Sequence, residues 1–290
     1  MKIKDETKAR ILMESLQYIK KFHNKIVVIK YGGHAMVNEE LKDSVIKDIV
    51  LLKYIGMNPV IVHGGGPEIS YYMNLKGLKP EFIDGLRVTT PEIMQIAEMV
   101  LTGSISPQIA SKFNANDVLS VSISGKDGRS IRAKKRDERL GLVGEVTGIN
   151  TKYILRLIED GYLPVVSPIA YGEGGISLNI NSDEVARRLA AALGADKLIM
   201  ITDVNGVMRD YKDPDSLIQR MTISDVEQAV DDGIIWGGMI PKLECCVGAI
   251  KGGVRRCHII NGTVPHSILL ELFTKVGIGT MITADRRKNL

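Results

Sequence analysis

The chain is poor in the residues that most often announce a function. Its 290 residues include three cysteines, one tryptophan and only 5% aromatics. Cys245 and Cys246 are adjacent and Cys257 stands apart, so no pair has metal-ligand spacing. All three are expected to be reduced core cysteines. There is no apolar run of about 18 residues, so no transmembrane helix is expected. The opening segment MKIKDETKARILMESLQYIKKF is charged throughout and lacks the apolar centre of a signal peptide, which points to the cytoplasm. The net charge of +4 is mild, and the basic run Lys134, Lys135, Arg136 is interrupted by Asp137 and Glu138. A solvated loop fits that run better than a nucleic-acid surface, and neither nucleic acid nor membrane is an expected partner.

Two common nucleotide loops are missing as well. The pattern G-x-x-x-x-G-K-[ST] occurs nowhere. The nearest approach to G-x-G-x-x-G is GEGGIS at 172–177, which has Ser177 where the last glycine belongs and precedes a strand. Both absences argue against a P-loop NTPase and a dinucleotide-binding dehydrogenase of the usual kind.

What is present is a long α/β pattern. KIVVIK, PVIVH, VLSVSIS, LPVVSPIA, KLIMITDV and RCHIIN read as strands, RCHIIN being the last clear one. Helical segments lie between them. Asn38 caps a helix closed by Gly56, with Leu41, Val45, Ile49 and Leu52 on one face. Pro67 and Pro91 open two more, the second running through Leu101. Asn150 caps another, Asp183 starts EVARRLAAALG, and GGMIPKLECCVGAIKGG is helical. Such alternation predicts a mainly parallel sheet covered by helices on both faces. Residues 126–148 are polar, rich in glycine and composed of short pieces, and are expected to form a β-hairpin insertion. No linker separates independent domains.

In sheets of this kind ligands bind beyond the carboxyl ends of the strands. Three glycine turns fall there: Lys30-Tyr31-Gly32-Gly33, His63-Gly64-Gly65-Gly66-Pro67 and Asp203-Val204-Asn205-Gly206. Glycine lets backbone approach a ligand, and amides at a helix start favour an anion. One such turn alone is weak evidence, since a tight βα turn needs no ligand, but for HGGGP at a helix start anion binding is the better reading. In LNINSDEVA, Asn179 and Asn181 would share a strand face with Asp183 at the following helix start; the bland reading is a capping aspartate with turn asparagines. Lys242 lies in the first turns of a helix after Gly237 and Gly238, where a cation opposes the helix dipole unless an anion is bound. Arg87 in GLRVT has the fork for a carboxylate, though a lone arginine is more often a surface residue. His63 is assigned a structural role. Lysines at anion-ready turns without a nucleophile–base pair suit phosphoryl transfer to a carboxylate. That acceptor is already ionised at neutral pH, so the site must only align two anions and neutralise charge.

The segments KYGGHAM, IVHGGGPEI, GLRVT, ISGKDG, GYLPVVSPI, LNINSDEVA, TDVNGV and GGMIPKLE, in this order, resemble the amino acid kinase family. The likeness is greatest to members that phosphorylate N-acetyl-L-glutamate in arginine biosynthesis. It covers nearly the whole chain. It implies an open, eight-stranded, mostly parallel sheet between helices, with an acyl-substrate lobe at about 25–188 and an ATP lobe at about 189–290. Lys30 and Lys242 would stabilise the transferring phosphoryl group, with Asp183 orienting both. Gly65 and Gly66 would face the reacting carboxylate, Arg87 the α-carboxylate, and Asn179, with Asn181 near it, the acetylated amino group. Gly32 and Gly33 would cover the phosphates, and Asp203, Gly206, Ile234, Ile235 and Trp236 would line the ATP site. Magnesium would travel on the nucleotide.

The first 24 residues resemble the helical extension of arginine-inhibited members, which interlaces dimers into a hexamer. Leu12, Leu16 and Ile19 have helical spacing there; a helix packed on its own chain is the alternative. HSILLELFTKVGIGT resembles the arginine site, implying Tyr18, Lys197, His266, Glu271 and Gly277 as contacts for L-arginine. A nitrogen-signalling protein binds some relatives. Within the family, the rival acceptors are N-acetyl-aminoadipate, glutamate, carbamate and uridine monophosphate. Outside it, a non-catalytic nucleotide or arginine sensor is the competing reading.

Overall fold

The computed structural model describes residues 4–32, 36, 38–210 and 213–285. The first part of the chain runs α1 (Asp5–Phe22), β1 (Ile26–Tyr31), α2 (Glu39–Tyr54), β2 (Asn58–His63), α3 (Gly66–Leu75), β3 (Phe82–Ile83), β4 (Leu86–Arg87), α4 (Pro91–Val100) and, after a π-helical turn at Leu101–Ile105, α5 (Ser106–Asn114). The middle comprises β5 (Ser120–Ser124), β6 (Ile131–Lys135), β7 (Gly144–Ile149), α6 (Thr151–Glu159), β8 (Leu163–Ser167), β9 (Ile169–Tyr171), β10 (Ser177–Asn179) and α7 (Ser182–Ala192). There follow β11 (Lys197–Thr202), β12 (Arg220–Thr222), α8 (Ile223–Asp231), α9 (Met239–Lys251), β13 (Arg256–Asn261), α10 (Ser267–Phe273) and β14 (Thr280–Thr283).

Eight strands form the main sheet in the order β12-β14-β13-β11-β1-β2-β8-β5. Every neighbouring pair is parallel except β13–β14. The alternation of side chains along each strand divides the core in two. Val28, Val60, Val62, Val166, Leu198 and Met200 pack under α7 and α9. Val27, Ile29, Ile61, Val165, Ile199 and Ile201 pack under α2, the α4–α5 rod and α10. Because both faces are covered, these strands are apolar at nearly every position. The family-like sheet expected from the resemblance is therefore present. The hairpin insertion is β6–β7, which joins β9 and β10 in a second, four-stranded sheet.

Three expectations need correction. LPVVSPIA is two strands: Pro168 has no N–H for the ladder, the chain bends there, and β9 leaves for the smaller sheet. The helix opened by Pro91 does not stop at Leu101. It widens into the π turn and continues as α5, whose first turn contains Pro107. A proline ring excludes the carbonyl four residues back, and the wide turn accommodates it. RCHIIN is not the last strand, since β14 follows and pairs antiparallel to it. Helix capping follows the sequence closely, as Asn38, Thr90 and Asn150 each accept a backbone amide at the expected helix start.

Candidate active site

Strand β1 lies between β11 and β2, so its carboxyl end is where the connections diverge to the two sides of the sheet. Lys30 is placed there, on the same side as Val28, beneath α7 and α9. Its Nζ lies 2.9 Å from Asp183 Oδ1, with the two side chains 15% and 20% exposed. The contact is ionic and lacks the alignment of a hydrogen bond, since Asp183 Oδ1 has no directed donor among the described residues. A methyl group on Gly32 would come within 3.0 Å of the Lys30 ammonium, so glycine leaves that charge uncovered. Gly33 lies outside the described residues.

Asp183 is the second residue of α7, and Asn181 caps the helix by accepting the amides of Asp183 at 2.8 Å and Glu184 at 3.4 Å. Strand β10 ends at Asn179. Asn179 and Asn181 therefore differ in backbone role, one ending a strand and one capping a helix. Both still line one cavity of about 160 Å³, together with Gly65, Gly66, Arg87 and Ser182.

Arg87 enters that cavity from the β3–β4 hairpin, whose two-residue Asp84-Gly85 turn has both φ angles positive. Nη2 donates to the Gly66 carbonyl at 2.9 Å and to Ser70 Oγ at 2.8 Å. The guanidinium carbon stands 4.8 Å from the centre of the Phe82 ring. Burial lowers the Arg87 pKa, but guanidinium keeps its charge at neutral pH. Asn179 Nδ2 donates to Thr89 Oγ1 at 3.2 Å, and Thr89 Oγ1 donates to the Arg87 carbonyl at 2.8 Å, joining the two candidate substrate contacts.

The glycine turn after β2 completes the cavity. Its amides at Gly65 and Gly66 open α3 and have no partner among the described residues, which suits an anion. Gly65 has no room for a side chain, because a Cβ would lie 2.6 Å from both Leu101 and Ile105 of the π turn.

A second cavity of about 380 Å³ lies over the other side of the sheet's switch point. Asp203, Gly206, Ile234, Ile235, Trp236 and Lys242 all line it. Gly206 has φ +139, and a Cβ there would come 2.6 Å from Thr280 Oγ1. Met208 and Arg209 line the cavity too; the sequence offered no signal for them beyond proximity to the turn. Lys242 extends from the first turns of α9, and its Nζ lies 3.5 Å from the Gly238 carbonyl. It makes no ion pair among the described residues, so Asp183 contacts Lys30 but not both lysines. The two helices are nevertheless tied, as Cys245 Sγ of α9 donates to the Asp183 carbonyl at 3.1 Å.

A third cavity, of about 330 Å³, brings together Tyr18, Lys197, Glu271 and Gly277. His266, expected with them, lies elsewhere: its Nδ1 donates to Asp48 Oδ1 at 2.7 Å. His258 takes its place, donating from Nδ1 to Glu271 Oε1 at 2.6 Å. It escaped notice because it sits inside an apolar strand and reads as core. Burial opposes charge on Glu271. The donors His258, Ile278 and Gly279 outweigh it, and the carboxyl is held below its usual range. Burial lowers Lys197 to about 8.

An anion-ready glycine turn, a lysine–aspartate pair at the switch point and a second cavity with its own lysine define a phosphotransferase-type site on an open α/β sheet. The model of the amino acid kinase family matches residues 25–261, and the chain belongs to that family. It is 55% identical over 289 residues to the acetylglutamate kinase of Alkaliphilus metalliredigens (strain QYMF), covering 100% of this chain and 92% of that one. It is 52% identical over 285 residues to the acetylglutamate kinase of Methanobrevibacter smithii, covering 94% of this chain and 98% of the other. Among solved structures, N-acetylglutamate synthase from Neisseria gonorrhoeae, complexed with coenzyme A and N-acetyl-glutamate, shares the fold with a TM-score of 0.84 at 24% identity. The match covers 96% of this chain and 64% of the synthase chain.

Proposed function

We propose that the chain transfers the γ-phosphoryl group of ATP to the side-chain carboxylate of N-acetyl-L-glutamate, giving N-acetyl-L-glutamyl 5-phosphate and ADP in arginine biosynthesis. A carboxylate oxygen attacks the γ-phosphorus, and the bond from that phosphorus to the β-phosphate oxygen breaks. No proton has to be removed, and no general base is required. The observation that carries the reading is the Lys30–Asp183 pair between an anion-ready cavity and a second, lysine-bearing one. The relatives at 55% and 52% identity supply the acceptor.

In this reading Arg87 grips the α-carboxylate and Asn179 the acetylated amino group, with Asn181 holding the helix start beside it. The amides of Gly65 and Gly66 align the reacting carboxylate. ATP occupies the larger cavity at Asp203, Gly206 and Ile234–Trp236, and Gly32 and Gly33 cover its phosphates. Magnesium arrives on the nucleotide. Lys30 and Lys242 offset charge on the transferring group from its two sides, Lys242 swinging away from the Gly238 carbonyl. The acyl lobe then spans about 25–188 and the ATP lobe about 189–290.

We further propose that L-arginine binds the third cavity and inhibits. Lys21, Lys197, Arg220, Arg256 and Lys275 line it and suit the α-carboxylate of arginine, while Glu271 suits its guanidinium. The exposed apolar residues of α1, Leu12 at 70% and Met13 at 67%, favour burial between copies in a hexameric trimer of dimers.

Purified protein assayed for ATP consumption with N-acetyl-L-glutamate, N-acetyl-aminoadipate, glutamate, carbamate and uridine monophosphate tests the central claim. Turnover is expected with the first. A one-methylene change is worth only about 1–3 kcal/mol, so the aminoadipate arm is the decisive comparison. Preference for any other acceptor overturns the assignment, and ATP binding without turnover on the whole panel would support the sensor reading.

A further inference from the structure

His63 closes β2 immediately before the glycine turn and is fully buried. Its Nδ1 lies 2.7 Å from the Gly64 carbonyl oxygen. A carbonyl only accepts, so Nδ1 carries the hydrogen and Nε2 the lone pair. Nε2 has no hydrogen-bond partner among the described residues. An orphaned buried acceptor lowers stability. An apolar side chain of similar size would serve packing alone without that penalty, so the ring calls for another explanation.

The backbone of the turn provides one. The Gly64 N–H donates to the Tyr31 carbonyl at 2.9 Å, and the Gly65 carbonyl accepts from the Ile69 N–H at 3.0 Å. The Gly66 carbonyl accepts from Arg87 at 2.9 Å and from Ser70 at 3.0 Å. With His63 on the Gly64 carbonyl, the carbonyls of all three glycines are engaged by the protein. Among the described residues, the two amides of the turn without partners are those of Gly65 and Gly66. In a planar trans peptide the N–H points away from the C=O. Holding the Gly64 carbonyl toward His63 therefore turns the Gly65 N–H the opposite way, toward the cavity shared with Arg87 and Asn179. Alternative peptide orientations are open to a run of three glycines, which have no side chains to select one.

We propose that His63 is a positioning residue for phosphoryl transfer: its Nδ1–H fixes the Gly64–Gly65 peptide and so aims the Gly65 amide at the reacting carboxylate. The inference rests on the carboxylate-kinase reading above. Burial holds the ring neutral, with its pKa lowered to about 4, so the Nδ1–H tautomer persists across the working pH range. His63 touches no substrate and acts only through the glycine turn.

Three substitutions separate the donor from the bulk of the ring. In His63→Asn the amide nitrogen can stand where Nδ1 stood. In His63→Gln the amide reaches the Nε2 position, and in His63→Leu there is no donor. His63→Gln and His63→Leu are expected to lower kcat by roughly tenfold or more, since a lost or misaimed amide donor commonly has effects of that order or larger. Their KM for ATP should stay within about twofold, because the nucleotide cavity is separate. His63→Asn is expected to recover most of the lost kcat. Undiminished kcat in both the Gln and Leu variants, or an Asn variant as slow as Leu while folded by thermal unfolding, overturns the proposal. On the wild-type protein, nitrogen-15 NMR of the His63 ring is expected to show the neutral Nδ1–H tautomer at neutral pH. The other tautomer, or a charged ring, overturns the proposal even where the variants fail to fold. Absence of wild-type turnover on every acceptor would instead refute the kinase reading, leaving the ring measurement to judge the geometry.

Discussion

Asp183 Oδ1 stands 2.9 Å from Lys30 Nζ, joining the first turn of α7 to the carboxyl end of β1. The pair is mostly shielded but not sealed, and β1 lies between β2, which leads into the His63–Pro67 turn, and β11, which leads into the Asp203–Gly206 turn. A fixed carboxylate there holds an ammonium in place before any anion arrives. Replacing Asp183 with Asn should therefore act like a weakened Lys30. Lys30→Ala is expected to lower kcat by roughly 10²-fold or more, and Asp183→Asn by a comparable factor. Steady-state kinetics decide the matter, and an effect confined to KM would contradict a role for Lys30 in charge stabilisation.

Arg87 is held by Gly66, Ser70 and Phe82, so its fork is oriented before substrate binds. Arg87→Lys keeps a charge but loses the fork. We expect the KM for the acyl amino acid to rise roughly tenfold or more, with the KM for ATP little changed. Equal changes in both constants would place Arg87 outside the acyl pocket.

Gly206 carries φ +139 and has Thr280 packed against it. Gly206→Ala should strain the backbone and displace the hydroxyl that accepts the Val207 amide at 2.8 Å. A loss on the order of 1–3 kcal/mol in unfolding free energy is expected. ATP affinity should fall with it. The fluorescence of Trp236, the single tryptophan, which lines the same cavity, reports ATP binding directly.

Two buried basic groups make stability depend on pH with the same sign. Lys197 is lowered to about 8 and His63 to about 4, both chiefly by burial. Each binds its proton less readily folded than unfolded. Stability contributed by Lys197 therefore rises from about pH 8 to its unfolded value near 10.4, and that of His63 from about pH 4 to near 6.5. Within each window the slope reaches at most about 1.4 kcal/mol per pH unit. Chemical unfolding of the wild type against Lys197→Met across the upper window should show the slope in the wild type alone. An identical pH profile for the two proteins would contradict a Lys197 pKa lowered by burial.

The exposed face of α1 supplies a test of assembly. Leu12→Asp places a charge where an apolar contact between copies is proposed and touches nothing in the core. Sedimentation should show a smaller particle, while turnover of N-acetyl-L-glutamate persists. An unchanged sedimentation coefficient would remove α1 from the assembly interface.

Much of the architecture was legible because its signals are local. Apolar runs in β1, β2, β8, β11 and β13 and the caps at Asn38, Thr90 and Asn150 depend on near neighbours in the chain. The glycine turns were visible for the same reason, and so was the resemblance they carry. Short strands such as β12 and β14 were not legible, since three or four residues of mixed type acquire strand character only from a paired neighbour. The π turn was hidden too, because it answers to Pro107 and to packing against Gly65.

At the candidate site the division is similar. The sequence by itself determined which residue types are available and that Lys30, Gly65, Asp203 and Lys242 fall at strand or helix ends. Only the tertiary structure decided who meets whom. It set Asp183 on Lys30, turned Lys242 to Gly238, and put His258 rather than His266 beside Glu271. It also gave His63 a carbonyl to hold. The contacts of Lys242 and His63 are local and depend on which way burial turns the side chain. The Asp183–Lys30 and His258–Glu271 pairings join separate elements and depend on strand order, on the side of the sheet each residue faces and on burial. Periodicity along the chain encodes the last two in part and strand order not at all.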